Sequence, residues 1–481
     1  MNKNIEIFET MPVPKAVLKF ALPTVVSMIV AVFYNMVDAF FVGQTGDPSQ
    51  FAAVNVATPV FMFLMAAGNI FGMGGSSFIS RALGEKNYEK VKNISSFCLY
   101  AGIVTGILGG ALILFKMPSI LKLIGTTETT FSYASQYLSI IALGGPIIVL
   151  STAYTNIVRG EGAAKNSMIG MMAGTAVNIV LDPIFILKNF LGIPGLNMGV
   201  AGAAIATLIG SAVTLIIYLA HSASKNSSLS LNPKFFTVRQ NIFTGVFSIG
   251  LPASLTNILM SLSSILTNNL LASYYSVKVT SEKLIPHITT FIDNAAVYGD
   301  IPTAAMGVAL KVNMLAIFIQ LGIGMGVSPL IAYNFGSKNY SRMNSFMKFA
   351  ILLNVITGVA LTGIYIVFAK QIINIFSKNP AVVSLGVDMI YALMTSIPFI
   401  GIMFVINFTF QAIGKGFQSL VLAVSRQGIV FLPAILLMNH FFGLSGIIFA
   451  QPIADAISVI TAVLMFAFIS KNFKTSSKVS Q

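Results

Sequence analysis

The stretch that decides the fold is residues 72–88, GMGGSSFISRALGEKNY, because a close copy of it, GMGVSPLIAYNFGSKNY, occupies residues 324–340. Nine of the seventeen aligned positions are identical. A shorter match joins GVAGAAIA at 199–206 to GLSGIIFA at 443–450. Self-similarity at a long offset indicates that one structural unit occurs twice, so we predict two homologous halves.

The composition of the chain is that of a protein embedded in lipid. Of its 481 residues, 56% are hydrophobic and 9% are charged, and the mean hydropathy is +0.86. A soluble domain carries about a quarter charged residues, so an ordinary soluble fold is excluded. The single cysteine, Cys98, excludes a disulfide framework and a multi-cysteine metal site.

Twelve apolar runs follow one another along the chain, each at or above the length of about 20 residues that spans a bilayer core. They lie at roughly 15–42, 51–80, 93–115, 131–158, 167–188, 200–221, 243–274, 303–335, 346–368, 381–412, 419–440 and 443–470. Their length and lack of strand alternation exclude a β-barrel. Internal prolines such as Pro146 and Pro398 predict bent helices.

We therefore predict an all-α polytopic membrane protein with twelve transmembrane helices in two six-helix lobes. The lobes are residues 1–221 and 243–481, and the polar stretch 222–242 is a cytoplasmic linker. Both halves begin on the same side of the membrane, so a pseudo-two-fold axis along the membrane normal relates them. Transporters built from such repeats bind their substrate between the halves near mid-membrane.

The two halves differ in length at one place. The offset from Leu22-Pro23 to Leu251-Pro252 is 229 residues, whereas the offset between the two Gly-Met-Gly motifs is 252. About 23 additional residues therefore lie in an outer loop of the second half, near 275–302. This segment could be a lid over the outer mouth or an insertion that the fold tolerates.

Basic residues predict the orientation of the chain. With the N-terminus inside, 19 of the 28 lysines and arginines fall on the cytoplasmic side and seven on the outer side. This bias is the positive-inside signature, so both termini are predicted to be cytoplasmic in a multi-pass protein of the cell membrane. It also accounts for the net charge of +14 without a nucleic-acid partner.

The sequence lacks the motifs of enzyme chemistry. It contains no GxxxxGK[ST], HExxH, CxxC or GxSxG pattern, and its three histidines are far apart. We therefore predict that the chain is not an enzyme, binds no cofactor and does not hydrolyse nucleotide itself. A transporter of this kind would take its energy from an ion gradient.

Two carboxylates in the first half are the strongest functional candidates. Asp38 and Asp182 each lie about one turn from the outer end of an apolar run, and no Lys or Arg lies in the interior of the first six runs. Asn35 and Tyr34 lie one turn before Asp38, and Asn178 shares a helix face with Asp182. Carboxylates in such surroundings can hold a proton or coordinate a sodium ion. We predict that these five residues form a coupling-ion site and that the chain holds no other metal.

The acids of the second half each have a candidate basic partner. Arg426 and Asp455 lie at similar depths near the inner side of their runs, and Lys311 and Asp388 lie at similar depths near the outer side. Opposite charges in an apolar region are stable only when paired. We predict two structural ion pairs here.

Several motifs in both halves make the chain resemble the MATE (multidrug and toxic compound extrusion) family, in its bacterial and archaeal drug-efflux branch. The motifs are Leu22-Pro23, Tyr34-Asn35-Met36-Val37-Asp38, Phe41-Val42-Gly43, residues 84–88, Arg159-Gly160-Glu161-Gly162, Asn178 through Asp182-Pro183, and Ile331 through Asn334. Together they cover nearly the whole chain.

The resemblance implies two lobes around a central V-shaped cavity and antiport of cationic drugs against protons or sodium. It implies that Asp38, Asp182 and Asn178 bind the coupling ion and that the first helix bends at Pro23. Some relatives use acids of the seventh and tenth helices instead. Here the seventh run has no acid and the tenth has only Asp388, which favours the first half.

The predicted partners are small cationic drugs and the lipid bilayer, and we expect a monomer. Asn156 and Lys311 are candidate residues of the substrate cavity. One alternative is a flippase or exporter of a lipid-linked or other polar substrate from the same wider superfamily. An anionic substrate of that kind needs several basic residues in the cavity, and only Lys311 and Arg426 lie inside the apolar runs. A membrane scaffold that transports nothing is a third alternative, which the buried acids disfavour.

Overall fold

The computed structural model describes residues 3–190, 192–239, 241–272 and 301–478, and it is almost entirely helical. A two-stranded antiparallel hairpin, β1 (Asn189–Phe190) and β2 (Ile193–Pro194), is the exception among these residues. The helices are α1 (Lys3–Glu9), α2 (Val13–Gly43), α3 (Pro48–Gly84), α4 (Tyr88–Phe115), α5 (Met117–Leu123), α6 (Glu128–Leu143), α7 (Gly145–Gly160), α8 (Ala164–Ile186), α9 (Val200–Ala223), α10 (Ile242–Ala272), α11 (Ile301–Gly336), α12 (Tyr340–Phe376), α13 (Pro380–Met394), α14 (Ile397–Ala412), α15 (Gly416–Val424) and α16 (Phe431–Lys478). A 3₁₀ turn (Pro233–Phe235) and a π-helical turn (Ser425–Ile429) complete the described elements.

The prediction of a helical, multi-pass membrane protein is confirmed. Within the described residues, eight helical stretches are long and apolar enough to cross a membrane, and there are ten if each of two bent helix pairs is one span. The bent pairs are α6 with α7, at 62°, and α13 with α14, at 47°. The bends lie next to Pro146 and Pro398, where a proline removes a backbone donor and crowds the preceding turn.

Each of the twelve predicted runs overlaps one of these helices or one of the bent pairs. The seventh run, 243–274, corresponds to α10, which is apolar but is described only to Ala272. The last two runs form one long helical stretch, Gly416–Ser470, which is interrupted at Gly443 by a non-helical backbone (φ 58°, ψ −135°). The predicted outer-loop insertion near 275–302 lies almost entirely outside the described residues.

By its internal packing the chain divides into two compact units that do not end at the predicted lobe boundaries. The first unit comprises Met1–Ser254, Gly326–Phe346 and Gln411–Gly416, and the second comprises the remaining segments. Short pieces of the second sequence half therefore belong to the first unit. Residues of the predicted linker also belong to it, because their backbone carbonyls are bound by side chains of α4. Ser96 Oγ donates to Ser230 O at 3.1 Å, and Tyr100 Oη donates to Leu231 O at 2.7 Å.

The repeated motif forms the same turn twice in the first unit. Lys86 and Lys338 occupy equivalent positions and both have a left-handed backbone, with φ of 58° and 60°. The following residues, Asn87 and Asn339, cap α4 and α12 by accepting from a backbone N–H three residues later, at 3.0 and 3.1 Å. The capping asparagine and the left-handed residue before it occur in both motifs. The two motifs are therefore structurally equivalent, and their sequence similarity is not due to chance.

Glycine is required where these two turns meet. A Cβ on Gly84 would lie 2.0 Å from Tyr333 O, and a Cβ on Gly336 would lie 2.2 Å from Arg81 O. Both contacts are to backbone atoms, which cannot rotate away. The two glycines therefore allow the ends of α3 and α11 to approach each other directly.

Candidate functional site

The first unit brings Asp38 and Asp182 together. Asp38 lies near the end of α2 and is half-buried, whereas Asp182 lies in α8, directly before Pro183, and is 0% exposed. The two acids lie near each other because α2 packs against α8. Neither forms an ion pair with a basic residue in the described part of the chain.

Three oxygens at this site are buried and have no hydrogen-bond partner among the described residues: Asp38 Oδ1, Asp182 Oδ2 and Asn178 Oδ1. The other oxygen of Asp182, Oδ1, accepts from Asn178 Nδ2 at 3.2 Å. That bond orients the amide, so the Asn178 oxygen is left as an acceptor. A buried acceptor without a partner costs about 1–3 kcal/mol, and a bound proton or cation would lower that cost.

Aromatic and hydroxyl side chains surround the carboxylates. Tyr34 lies one turn before Asp38, and its hydroxyl is 3.2 Å from Thr207 Oγ1 on α9. Tyr137, on α6, is 6% exposed and interacts electrostatically with both carboxylates. Thr207 and Tyr137 were not predicted from the sequence, because nothing in their own helices marks them. Asn35 lies in α2, and its side chain is outside what the structure describes.

The second unit contains the predicted ion pair between Arg426 and Asp455. Arg426 Nε donates to Asp455 Oδ1 at 2.8 Å, and the two side chains are 7% and 2% exposed. Gln451 Nε2 also donates to Oδ1, at 2.8 Å, and Ser396 Oγ donates to Oδ2, at 2.9 Å. The guanidinium group lies 5.2 Å from the centre of the Phe404 ring. Both carboxylate oxygens are therefore satisfied, as a buried charge requires.

The second predicted pair is not formed. Lys311 is exposed on α11, Asp388 is half-buried on α13, and the ion pairs among the described residues do not include them. Similar depth along two helices does not specify which faces the two helices turn toward each other. Equal depth was therefore not enough to predict an ion pair between Lys311 and Asp388.

Asn156 lies in the packed interior of the first unit. It is 5% exposed, and its Nδ2 donates to Thr152 O at 3.3 Å and reaches Asn69 Oδ1 at 3.5 Å. It also lies against Gly72, where a Cβ would be 2.9 Å from its Nδ2. Through these contacts the Asn156 amide joins α7 to α3.

Glu161 is another buried acid of the first unit, and its hydrogen bonds hold the predicted linker against that unit. It follows α7 and is 2% exposed. Its carboxylate accepts from Ser227 Oγ at 2.8 Å and from the backbone N–H of Ser228, and it lies 3.2 Å from His221 Nε2. The other ring nitrogen, His221 Nδ1, is 2.9 Å from Asn166 Nδ2. The resemblance pointed to Glu161 as part of a motif but not to this role.

The substitution Glu161→Gln should loosen the linker. An amide in place of the carboxylate cannot accept from all of these donors at once, and each buried donor left without a partner costs about 1–3 kcal/mol. We expect trypsin to cleave faster after Lys225 and Lys234, which are exposed. Glu89→Gln, which replaces an exposed acid in the first turn of α4, is the matched control and should change stability by less than about 1 kcal/mol. Unchanged cleavage in Glu161→Gln would contradict the proposed anchoring.

Comparison with known proteins identifies the family. The profile of the family described as MatE matches residues 23–184 and 282–436. The multidrug export protein MepA of Staphylococcus saprophyticus is 31% identical over 464 residues, which are 96% of each chain. MepA of Staphylococcus haemolyticus is 31% identical over 480 residues, covering 100% of this chain and 98% of its own.

Solved structures agree with this result. The crystal structure of a MATE protein in complex with MaL6 superposes with a TM-score of 0.87 at 24% identity, covering 99% of this chain and 100% of that one. An outward-facing multidrug resistance MATE family transporter of the MOP superfamily gives a TM-score of 0.84 at 25% identity, covering 98% and 99%. The profile match over more than half of the sequence, together with relatives aligned over their full length, shows that the chain belongs to the MatE family of transporters.

Proposed function

We propose that this transporter exports small organic cations across the cell membrane, and that protons or sodium ions bound at Asp38 and Asp182 drive the export. The observation that carries the proposal is the group of three buried oxygens without partners among the described residues, from Asp38, Asn178 and Asp182. The named activity of the MepA relatives, multidrug export, supports the same assignment. The positive-inside bias supports cytoplasmic termini, and we propose a monomer as the working unit.

Binding of the ion would act on the drug through conformation. Two carboxylates in a low dielectric repel each other when both are charged, so a proton or cation between them favours a different packing of α2 and α8. Pro23, inside α2, is the position at which we propose that the helix bends. Ion and drug then need not touch, because each can favour one of two conformations.

The flippase alternative has less support. Of the two basic residues inside the apolar runs, Arg426 is held by Asp455 in a buried pair. A buried guanidinium that is already neutralised is a poor site for a second anion. Lys311 alone would have to hold a phosphate or a similar group.

The proposal is tested by efflux from cells. Cells that express the chain should extrude a fluorescent organic cation such as ethidium faster than cells with an empty vector. An inward pH gradient and an inward sodium gradient, imposed separately, should show which ion supports export. Export that continues at the same rate after both gradients are collapsed would contradict ion coupling.

A further inference from the structure

A cavity of about 590 Å³ opens on the first unit at the end where α2 and α8 finish and where α3, α6 and α9 begin. In the proposed orientation this end faces the outside. We call it the outer-end cavity, and its lining includes Thr45, Gln136, Ile186 and Val200. Its lining does not include Asp38 or Asp182, so it is distinct from the coupling-ion site.

The cavity lies directly outward of the two carboxylates along their own helices. Ile186 follows Asp182 by four residues on α8, and Thr45 follows Asp38 by seven, just past the end of α2. Spacings of four and seven residues place side chains on one helix face. Ile186 therefore lies one turn outward of Asp182 on the same face of α8, and Thr45 lies just beyond the outer end of α2, the helix that carries Asp38.

On α6 and α9 the lining residues likewise lie one or two turns from residues near the carboxylates. Tyr133 lines the cavity and precedes Tyr137 by four residues on α6. Val200 lines it and precedes Thr207 by seven on α9. Tyr137 interacts with both carboxylates, and Thr207 contacts Tyr34. Three helices, α6, α8 and α9, thus each present one residue to the cavity and one to the site.

The cavity and the site are close along the helices that they share. Ile186, which lines the cavity, is 1% exposed, and Tyr137 is 6% exposed, so both side chains are buried. Along α6 and α8, one turn of about 5.4 Å separates the lining residues Tyr133 and Ile186 from Tyr137 and Asp182.

The lining is suited to a hydrated cation. Gln44, Gln50 and Gln136 line the cavity, and Gln50 Oε1 is buried without a partner among the described residues. Asp47 lies close to Gln50 and Tyr133, and the Ser49 N–H, which donates to it at 2.8 Å, lowers the pKa of its carboxyl, so that Asp47 stays charged. Amide oxygens of the lining can replace part of the water shell of a small cation, and Asp47, which is not itself part of the lining, supplies a negative charge nearby.

We propose that the outer-end cavity is the vestibule in which the coupling cation binds, with its remaining water, before it passes to Asp38 and Asp182. This inference rests on the proposed function. Lys188 also lines the cavity and carries the opposite charge. It would oppose cation entry, so Asp47 and Lys188 should change the apparent affinity for the ion in opposite directions.

The test uses a cysteine placed in the cavity of the full chain. In a Cys98→Ser background, Met198→Cys, at a lining position with no proposed contact to the cation, is treated from the outside with a trimethylammonium-ethyl methanethiosulfonate, which leaves a bulky fixed cation. We expect loss of most gradient-driven ethidium efflux, and recovery after reduction by dithiothreitol. Ethidium binding to the purified protein at equilibrium should be unchanged, because drug binding does not require ion entry.

The matched control is Leu123→Cys, at the end of α5, which is 86% exposed and does not line the cavity. Labelling it should leave efflux unchanged. If Met198→Cys does not fold, Leu187→Cys, which also lines the cavity, replaces it. A second readout is the ion concentration that gives half-maximal efflux, which Asp47→Asn should raise and Lys188→Gln should lower, each by about twofold.

The outcomes separate the inference from the proposed function. If unlabelled protein shows no gradient-driven efflux, the proposed function fails. If unlabelled Met198→Cys exports and the fully labelled protein, verified by mass, exports at the same rate, the vestibule is excluded while ion coupling stands. Equal loss in labelled Leu123→Cys would also overturn the inference, since the effect would not depend on the cavity.

Discussion

Asp38→Asn should abolish gradient-driven export while the protein still folds. The substitution removes the charge and keeps the shape, so the site resembles its ion-bound form permanently. The Asp38 Oδ1 oxygen is buried without a partner among the described residues, and an amide in its place lowers the need for a bound ion. We expect ethidium efflux to fall to the level of cells without the transporter, measured at matched expression.

Asp182→Asn should have the same effect, and the double variant should be little worse than either single one. Non-additivity is expected because two interacting carboxylates that hold one ion function as a unit. The matched control is Asp388→Asn, which neutralises a half-buried carboxylate of the second unit that has no ion pair among the described residues. It should export normally. Efflux at the wild-type rate in Asp38→Asn would rule out the proposed coupling site.

Asp455→Asn should destabilise the protein more than Asp38→Asn, Asp182→Asn or Asp388→Asn. It leaves the Arg426 guanidinium buried and uncompensated, at a cost of roughly 3–5 kcal/mol. We expect a lower melting temperature and a lower folded yield in detergent. Arg426→Gln in the same chain should restore part of the loss, because the buried charge is then gone as well.

Ser396→Ala is the control for this cycle. It removes the hydrogen bond to Asp455 Oδ2 but leaves the ion pair, so it should cost only about 1 kcal/mol. A double variant, Arg426→Gln with Asp455→Asn, that is no more stable than the sum of the single losses would show that the two residues are not energetically coupled.

Asp38 and Asp182 in the first unit and Asp455 in the second differ in their hydrogen-bond partners. In the first, Asp38 and Asp182 each have a carboxylate oxygen without a partner among the described residues, and their neighbours there, such as Asn178 and Tyr137, are neutral. In the second, Asp455 has three donors and a positive charge beside it. A carboxylate whose oxygens both have hydrogen-bond partners gains little free energy by binding an ion. A carboxylate with an unpartnered oxygen gains more. This contrast supports placement of the coupling ion in the first unit.

Much of the fold was predictable from the sequence because lipid imposes a strong rule on it. Every backbone group in a bilayer must be paired within its own segment, so long apolar runs become helices. The bends next to Pro146 and Pro398 were also predictable from local sequence, because a proline removes a backbone donor and crowds the preceding helical turn. The repeat of Gly-Met-Gly with Lys-Asn-Tyr likewise specified two equivalent turns, at Lys86 and Lys338.

The sequence by itself therefore determined the membrane class, the helical runs, the duplicated turn and the choice of Asp38 and Asp182 as candidate ion-binding residues. Each of these depends on composition or on local sequence within one segment. The tertiary structure alone decided which side chains meet across helices. It placed Tyr137 and Thr207 around the carboxylates, joined Arg426 to Asp455 but not Lys311 to Asp388, and bound the linker to Glu161. The physical reason is that helical periodicity gives a residue's depth and its face, whereas its neighbours depend on how that face is turned when the helices pack.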